Sequence, residues 1–266
     1  MEGGGEDPLE VLPVELVHQI FSSLDERALA SALLTCKSWH AVAKEPSLWA
    51  GLFACSTWNP NDVSDPQRIS LSQDLRTLHK DQTSCGSTSA RGWLVSATHK
   101  LPSCRPVYFE VVIERDTKEA ASWGCQAGVG VVINDTKGPL RDMPVVKHDS
   151  LGAGFYAARR VYPVLLGEQG WGVALGQCAV EHNGEFLGET GLECAVGGRV
   201  GVFYDDSQGK GLLNFYFNGT SMLSKPITGV RGALYPAVQL CCRSITLTFC
   251  PSAPVPPHAL ALSSPA

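Results

Sequence analysis

The sequence predicts a mainly β protein in which an antiparallel β-sandwich follows a small all-α unit. Three observations carry this prediction. Apolar residues recur at helical spacing between residues 9 and 54, the period changes to two from about Arg91, and Asn-Gly pairs occur at 183–184 and 218–219. Alternation places successive side chains on opposite faces of a strand, and Asn-Gly favours two-residue hairpin turns because both turn residues adopt positive φ. Many short strands with frequent turns indicate a sandwich.

The N-terminal segment reads as helices only. The first helix is predicted from about Pro13 to Leu24, and Asp25 is a suitable N-cap for a second helix over 26–36. A third helix carries Trp39 and ends before Pro46, and a last helical turn follows in PSLWAGLF. Along the first helix the apolar residues form one wide stripe: Leu12, Leu16, Val17, Ile20, Phe21 and Leu24.

The apolar stripe of the first helix must be buried against another surface. About 45 residues cannot bury every apolar side chain that they carry, because a lone domain below roughly 60 residues is marginal even with an ideal core. Either the β domain or a groove of a second protein could receive the helix face. Periodicity does not choose between them.

The predicted strands alternate clearly. Their inward residues are Phe109, Val111 and Ile113, then Val200, Val202 and Tyr204, then Leu213, Phe215 and Phe217, and last Ile245, Leu247 and Phe249. Polar residues between them, such as Asn214, indicate sheets with one solvated face.

The predicted boundaries divide the chain into five parts. Residues 1–8 form a disordered tail, residues 9–54 the helical unit, 55–79 a linker with a short helix over 70–79, and 80–250 the β domain. The Pro-rich stretch 251–266 is predicted to be a flexible tail.

Charge and composition exclude several classes. The net charge of −5 argues against broad nucleic-acid binding. No apolar run approaches the roughly 20 residues of a membrane span, and the acidic N-terminus lacks the features of a signal peptide. We therefore expect a cytoplasmic or nuclear protein whose ten cysteines are reduced and mostly buried. No paired ligands at metal-site spacing occur, so no metal is expected.

Catalytic motifs are missing as well. The sequence AGVGVV at 127–132 lacks GxGxxG, and there is no P-loop lysine, GxSxG or HExxH. Asp205-Asp206 reads as a solvated turn, and His182 as a turn residue rather than a base. Cys85 and Cys178 have no histidine paired with them by any signature. We therefore predict a non-enzyme without a cofactor.

The helical segment resembles an F-box. The marks are Leu12-Pro13, Leu16, Ile20-Phe21, Leu24-Asp25, Leu29, Leu33, CKSW at 36–39 and PSLW at 46–49, which fit in order and spacing. The resemblance implies docking on an Skp-type adaptor, and through it on a cullin–RING ubiquitin ligase. The adaptor would then cover the stripe. Carried over by position, the contact residues are Leu12, Pro13, Leu16, Ile20, Phe21, Leu24, Leu29 and Leu33.

The β half is similar to a SPRY (B30.2-like) domain, a bent antiparallel sandwich that recognises proteins through its loops. The matching pieces are STSARG at 87–92, YFEV at 108–111, GWGV at 170–173, HNG at 182–184, GGRVGVFYDD at 197–206, LNFYFNG at 213–219 and LYPAV at 234–238. Residues 116–167 fit weakly. Cys241 or Cys242 stands where related domains often carry a Trp on the binding surface.

An F-box joined to a SPRY domain implies the substrate-recognition subunit of an Skp–cullin–F-box ubiquitin ligase, or alternatively a non-degradative interaction scaffold. Aromatic residues and Arg are the usual anchors of protein recognition. The segment FYAARRV at 155–161 supplies both, and STSARG lies on the same side by resemblance. The predicted target-binding residues are Thr88, Arg91, Tyr156 and Arg159.

Overall fold

The chain divides into two units, Met1–Cys55 and Ser56–Ala266. The computed structural model describes residues 12–24, 26–63, 68–81, 93–103, 105–116, 127–134, 166, 169–183, 185–189, 194–240 and 244–263.

The first unit is helical, as predicted. Its helices are α1 (Val14–Ser22), α2 (Glu26–Ala32), α3 (Lys37–Ala43) and α4 (Pro46–Ala54). One apolar cluster joins them, with Val17, Phe21, Leu29, Ala32, Ala43 and Leu48 buried. Proline at the start of α4 suits the first helical turn, where its missing N–H is not needed.

The second unit contains two antiparallel sheets in its described part. The first seven strands are β1 (Ile69–Leu71), β2 (Thr77–Lys80), β3 (Trp93–Ser96), β4 (Val107–Asp116), β5 (Gly128–Ile133), β6 (Gly170–Ala174) and β7 (Ala179–His182). The other six are β8 (Glu185–Glu189), β9 (Arg199–Asp205), β10 (Leu212–Phe217), β11 (Thr220–Ser221), β12 (Leu234–Leu240) and β13 (Ile245–Cys250). One sheet has the order β1-β2-β13-β4-β9-β10-β11, and the other β3-β12-β5-β6-β7-β8. The predicted fold class is therefore confirmed.

The core consists of the inward residues that alternation predicted. In β4, β9, β10 and β13, every one of the twelve predicted inward side chains is buried. Trp58 joins them, fully buried, with its ring centroid 4.8 Å from that of Phe249. Since burial of each large apolar side chain contributes about 1.5–3 kcal/mol, this shared inner face dominates the stability of the unit.

The Asn218-Gly219 turn is confirmed. Phe217 pairs with Thr220, so the loop between β10 and β11 has two residues, and Asn218 and Gly219 have φ of 49° and 77°. Asn183 also has positive φ, at 49°, in the connection from β7 to β8. These left-handed conformations are what a type I′ turn requires.

The segment predicted as a linker contributes to the sheet instead. Residues 70–79, predicted as a helix, form β1, a turn and β2, with Leu71 opposite Leu78. The Asp74 carboxylate accepts hydrogen bonds from the Ser72 hydroxyl and the Arg76 backbone N–H, at 2.5 and 3.1 Å. Such local side-chain bonds compete with helix formation and stabilise a turn.

The C-terminal stretch is not a free tail over its described part. It forms a further helix, α5 (Pro257–Ser263), and Ala259 is buried against Tyr108, Phe203 and Tyr216. These aromatic residues belong to the outer face of the seven-stranded sheet. That face was predicted to be solvated, yet Asn214 and Tyr216 are buried. Gly201 leaves room beneath this layer, because a Cβ there would collide with the Tyr108 ring.

Candidate functional site: the exposed face of the first helix

Helix α1 has two apolar sides that behave differently. Val17 and Phe21 are buried in the helical cluster, whereas Leu16 and Ile20 are 46% and 48% exposed. Leu12, just before the helix, is 39% exposed. Residues 16 and 20 are four apart and lie on one face of α1, and Leu12 precedes the helix by two residues. We call Leu12, Leu16 and Ile20 the exposed stripe.

The buried side is held by specific packing. The Phe21 ring meets Trp39 edge-to-face, with centroids 5.5 Å apart. The Trp49 indole N–H donates to the Ala43 carbonyl at 2.7 Å, which ties α4 to the end of α3. His40 Nδ1 lies 2.8 Å from the Leu33 carbonyl oxygen, joining α3 to the residues after α2. The exposed stripe therefore stands on a helix that its neighbours fix in place.

The eight residues predicted to contact an adaptor fall into three groups. Leu12, Pro13, Leu16 and Ile20 are exposed, Leu24 and Leu33 are partly buried, and Phe21 and Leu29 are buried within the unit. The structure thus offers half of the predicted set directly to a partner. It gives Phe21 and Leu29 a packing role inside the helical unit.

Among the described residues of the helical unit, two further large apolar residues are exposed that were not predicted as contacts. Val14, the first residue of α1, is 62% exposed, and Leu34, in the turn after α2, is 87% exposed. Helical periodicity could not single out Leu34, because α2 has ended two residues before it. An apolar residue at a helix end is visible in the sequence, but its exposure depends on where the helix stops.

The predicted target-binding residues Thr88, Arg91, Tyr156 and Arg159 lie outside the described residues. Gln239, on β12, is buried, and its Oε1 accepts a hydrogen bond from the Leu166 backbone N–H at 2.5 Å. This contact gives Gln239 a structural role in the sheet.

The polar motifs of the β unit are engaged in local structure. Asp205 accepts a hydrogen bond from the Ser207 N–H and Asp206 from the Gly211 N–H, at 2.9 and 2.8 Å. These bonds shape the turn between β9 and β10 that was predicted for the Asp pair, but Asp205 is the last residue of β9 and is buried, not solvated. His182 stacks on Trp171 with ring centroids 4.4 Å apart, and its Nδ1 lies 2.9 Å from the Gly170 carbonyl oxygen.

Within the described ranges the chain has neither a cluster of metal ligands nor a membrane-spanning helix. No group of three or more His, Cys, Asp or Glu side chains converges there as metal ligands would. Among those same residues, no helix combines the length and hydropathy of a membrane span.

Comparison with known proteins identifies the helical segment. Residues 9–55 match the F-box-like family model. Over 41 residues, 15% of this chain, the sequence is 49% identical to human F-box only protein 48. The match spans 26% of that relative's length. The F-box predicted at the N-terminal end of the sequence is therefore confirmed.

The solved structures that resemble this chain include SPRY domains. The SPRY domain of human HERC1 has 14% identity and a TM-score of 0.42, with 71% of this chain and 98% of that chain covered. The TRIM65 PSpry domain has 19% identity and a TM-score of 0.46, with 73% and 88% covered. A human SPRY domain has 17% identity and a TM-score of 0.45, with 71% and 98% covered.

Proposed function

We propose that this chain is the substrate-recognition subunit of an Skp–cullin–F-box ubiquitin ligase. The observation that carries the proposal is the exposed stripe at the start of and along α1, within the F-box-like segment: Leu12, Leu16 and Ile20. F-box segments dock on Skp-type adaptors, and the stripe has the chemistry of such a docking face.

The physical reason for docking is burial of the exposed stripe. Each buried leucine or isoleucine side chain contributes about 1.5–3 kcal/mol when water is removed from it. An amphipathic helix that lays its apolar residues in a partner's groove uses anchors three or four positions apart, as Leu16 and Ile20 are. Because Val17 and Phe21 fix α1 against α3 and α4, the stripe is already arranged for binding. A preorganised helix loses less conformational entropy on association.

The SPRY-like unit would hold the target protein. Thr88, Arg91, Tyr156 and Arg159 remain the proposed target contacts, with aromatic burial and charge-assisted hydrogen bonds as the means of recognition. The subunit would catalyse no step itself. It would keep the target's lysines close to a charged conjugating enzyme, so that transfer becomes effectively intramolecular. We place this activity in the cytoplasm, the nucleus or both.

The adaptor interaction is tested by charge substitution in the exposed stripe. Leu16→Asp and Ile20→Asp should each abolish copurification of the Skp adaptor, because a carboxylate would be buried unpaired in the interface. Ser47→Asp is the matched control, since it adds the same charge at an exposed position of α4. If both stripe variants retain the adaptor as well as Ser47→Asp does, the docking face lies elsewhere.

A non-degradative scaffold is the second candidate function, since two binding modules suffice for it. The two candidates differ in what happens to a bound target. A recognition subunit should raise target ubiquitylation with the full chain and lose that effect with Leu16→Asp. Equal ubiquitylation and half-life of the target with both forms would favour the scaffold.

A further inference from the structure

Two buried thiols touch in the β unit. Cys178 is the last residue of the turn between β6 and β7, and Cys194 lies five residues before β9. Their side chains are buried, with 0% and 2% exposure of the residues. The Sγ atoms are 2.6 Å apart, so the two side chains are in direct contact.

This pairing joins parts of the chain that belong to different sheets. Cys178 connects two strands of the six-stranded sheet, and Cys194 leads into β9 of the seven-stranded sheet. Sixteen positions separate them, and the β7–β8 hairpin lies between. Two thiols in direct contact across such a loop can form a disulfide without a large movement of the backbone.

Other uses of the pair are less well supported. A structural metal site requires three or four converging ligands, and in the described part of the chain no such group includes these sulfurs. A packing role alone would be served by any two small apolar residues. Two thiols in contact add a chemical property, because they share an accessible two-electron oxidation.

We propose that Cys178 and Cys194 are a reversible oxidation site that closes an intramolecular disulfide under an oxidising thiol–disulfide balance. The oxidant is a small disulfide such as oxidised glutathione. The thiolate of one cysteine attacks it, forming a mixed disulfide and releasing one glutathione thiolate. The second cysteine thiolate then displaces the other glutathione. The protein loses two electrons and two protons in total, and the small disulfide is reduced to two thiols.

Burial determines the rate of this reaction. A small disulfide reaches the Cys178 and Cys194 sulfurs only when the surrounding structure opens locally, whereas Cys55 is exposed. Oxidation of the pair should therefore be slower than modification of Cys55. Once formed, the bond shortens the effective length of the unfolded chain by closing the loop, which stabilises the folded unit.

Peptide mapping tests the linkage directly. The full-length protein is incubated with oxidised glutathione, its remaining thiols are alkylated, and it is digested with a protease that cleaves after glutamate. Glu181, Glu185, Glu189 and Glu193 all lie between the two cysteines, so this digestion separates them. We expect one linked pair that joins the Cys178 peptide to the peptide beginning at Cys194, which dithiothreitol resolves; the second peptide also carries Cys241, Cys242 and Cys250, because no Glu follows Glu193. Trypsin assigns the bond, because the peptide 161–199 contains Cys178 and Cys194 and no other cysteine, and it loses the mass of two hydrogens when they are linked.

Thermal unfolding tests the consequence. Oxidised wild-type protein should melt about 5 °C or more above the reduced protein, given the loop length. Cys178→Ala and Cys194→Ala should each abolish this redox-dependent difference, and Cys55→Ala should retain it. Because each variant is compared with its own reduced form, a lower melting temperature of the variant does not obscure the result. The proposal is overturned if no linked peptide forms in the wild-type protein, or if Cys178 pairs equally with other cysteines.

Discussion

Adjacent residues of α1 differ in their burial. Leu16 and Ile20 are half-exposed, while Val17 and Phe21, each one position further on, are buried against α3 and α4. A helix turns by about 100° per residue, so a stripe wide enough to include all four must split between two neighbours. The structure gives the second pair a packing role, and the proposed function gives the first pair a binding role.

This division gives a prediction for Phe21. Phe21→Asp should unfold the helical unit, because it removes the ring that packs on Trp39 and buries a carboxylate, at a cost of roughly 4 kcal/mol or more. Leu16→Asp should leave the unit folded. Far-ultraviolet circular dichroism and limited proteolysis of the two variants would measure the difference. Equal protease resistance would place Phe21 outside the core.

The buried tyrosines provide a second prediction at this scale. Burial, reinforced by Asp206, raises the pKa of Tyr204 to about 12. Burial also raises the pKa of Tyr216, and burial together with the Glu110 carboxylate raises the pKa of Tyr108. In the unfolded chain all three should ionise near the ordinary value of about 10.

A raised pKa in the folded state means that the protonated hydroxyl stabilises the fold. That contribution is complete below about pH 10 and is lost as the pH rises through the folded pKa values. Absorbance at 295 nm should therefore show a group of tyrosines that ionises only above about pH 11, together with loss of the β-sheet circular dichroism signal. Protein in guanidinium is the control. Ionisation of all tyrosines near pH 10 without unfolding would contradict this prediction.

At the scale of secondary-structure elements, β1 and β2 show that apolar spacing alone can predict the wrong element. Leu71, Leu75 and Leu78 have near-helical spacing, which agrees with the helix predicted over 70–79. The structure instead gives Leu75 a φ of 57° within a tight turn organised by Asp74. The hydrogen bonds that favour this turn depend on which neighbours the Asp side chain reaches. The pairing of β2 with β13 is a contact across more than 160 residues, which local sequence cannot specify.

The inner sheet faces were predictable for a simple reason. A strand that packs on a core must alternate, and alternation is written in the sequence. The segment that covers an outer sheet face is harder to predict, because any part of the chain can supply it. Here residues 253–259 supply it, although their Pro- and Ala-rich composition predicts a flexible tail. Likewise, helical spacing located the stripe on α1, yet it could not divide that stripe between core and surface.

Helix α5 can be tested with two substitutions on the same element. Ala259→Asp should lower stability by about 2 kcal/mol or more, because Ala259 is buried on the aromatic face. Leu260→Asp should change stability by less than about 0.5 kcal/mol, since Leu260 is 50% exposed. Thermal and urea unfolding would compare the two variants. Similar stability for both would show that α5 does not cover the sheet in solution.

At the scale of the whole molecule, the division into two units predicts independent folding. Removal of residues 1–55 should leave residues 56–266 with an unchanged thermal transition, because the two sheets and their cover lie within that part of the chain. The truncated protein should no longer copurify with the adaptor. Calorimetry and pull-down measure the two outcomes. A truncated protein that melts at a markedly lower temperature would mean that the helical segment stabilises the sheets.

The exposed stripe also affects how the isolated protein behaves at high concentration. Leu12, Leu16 and Ile20, with Val14 and Leu34 on the same unit, present apolar side chains to water when no partner is bound. Such patches favour reversible self-association. Light scattering should therefore grow with concentration for the purified chain, and coexpression with the adaptor should suppress it. Leu16→Asp should suppress it as well, which makes a binding-defective variant the better-behaved sample for crystallisation.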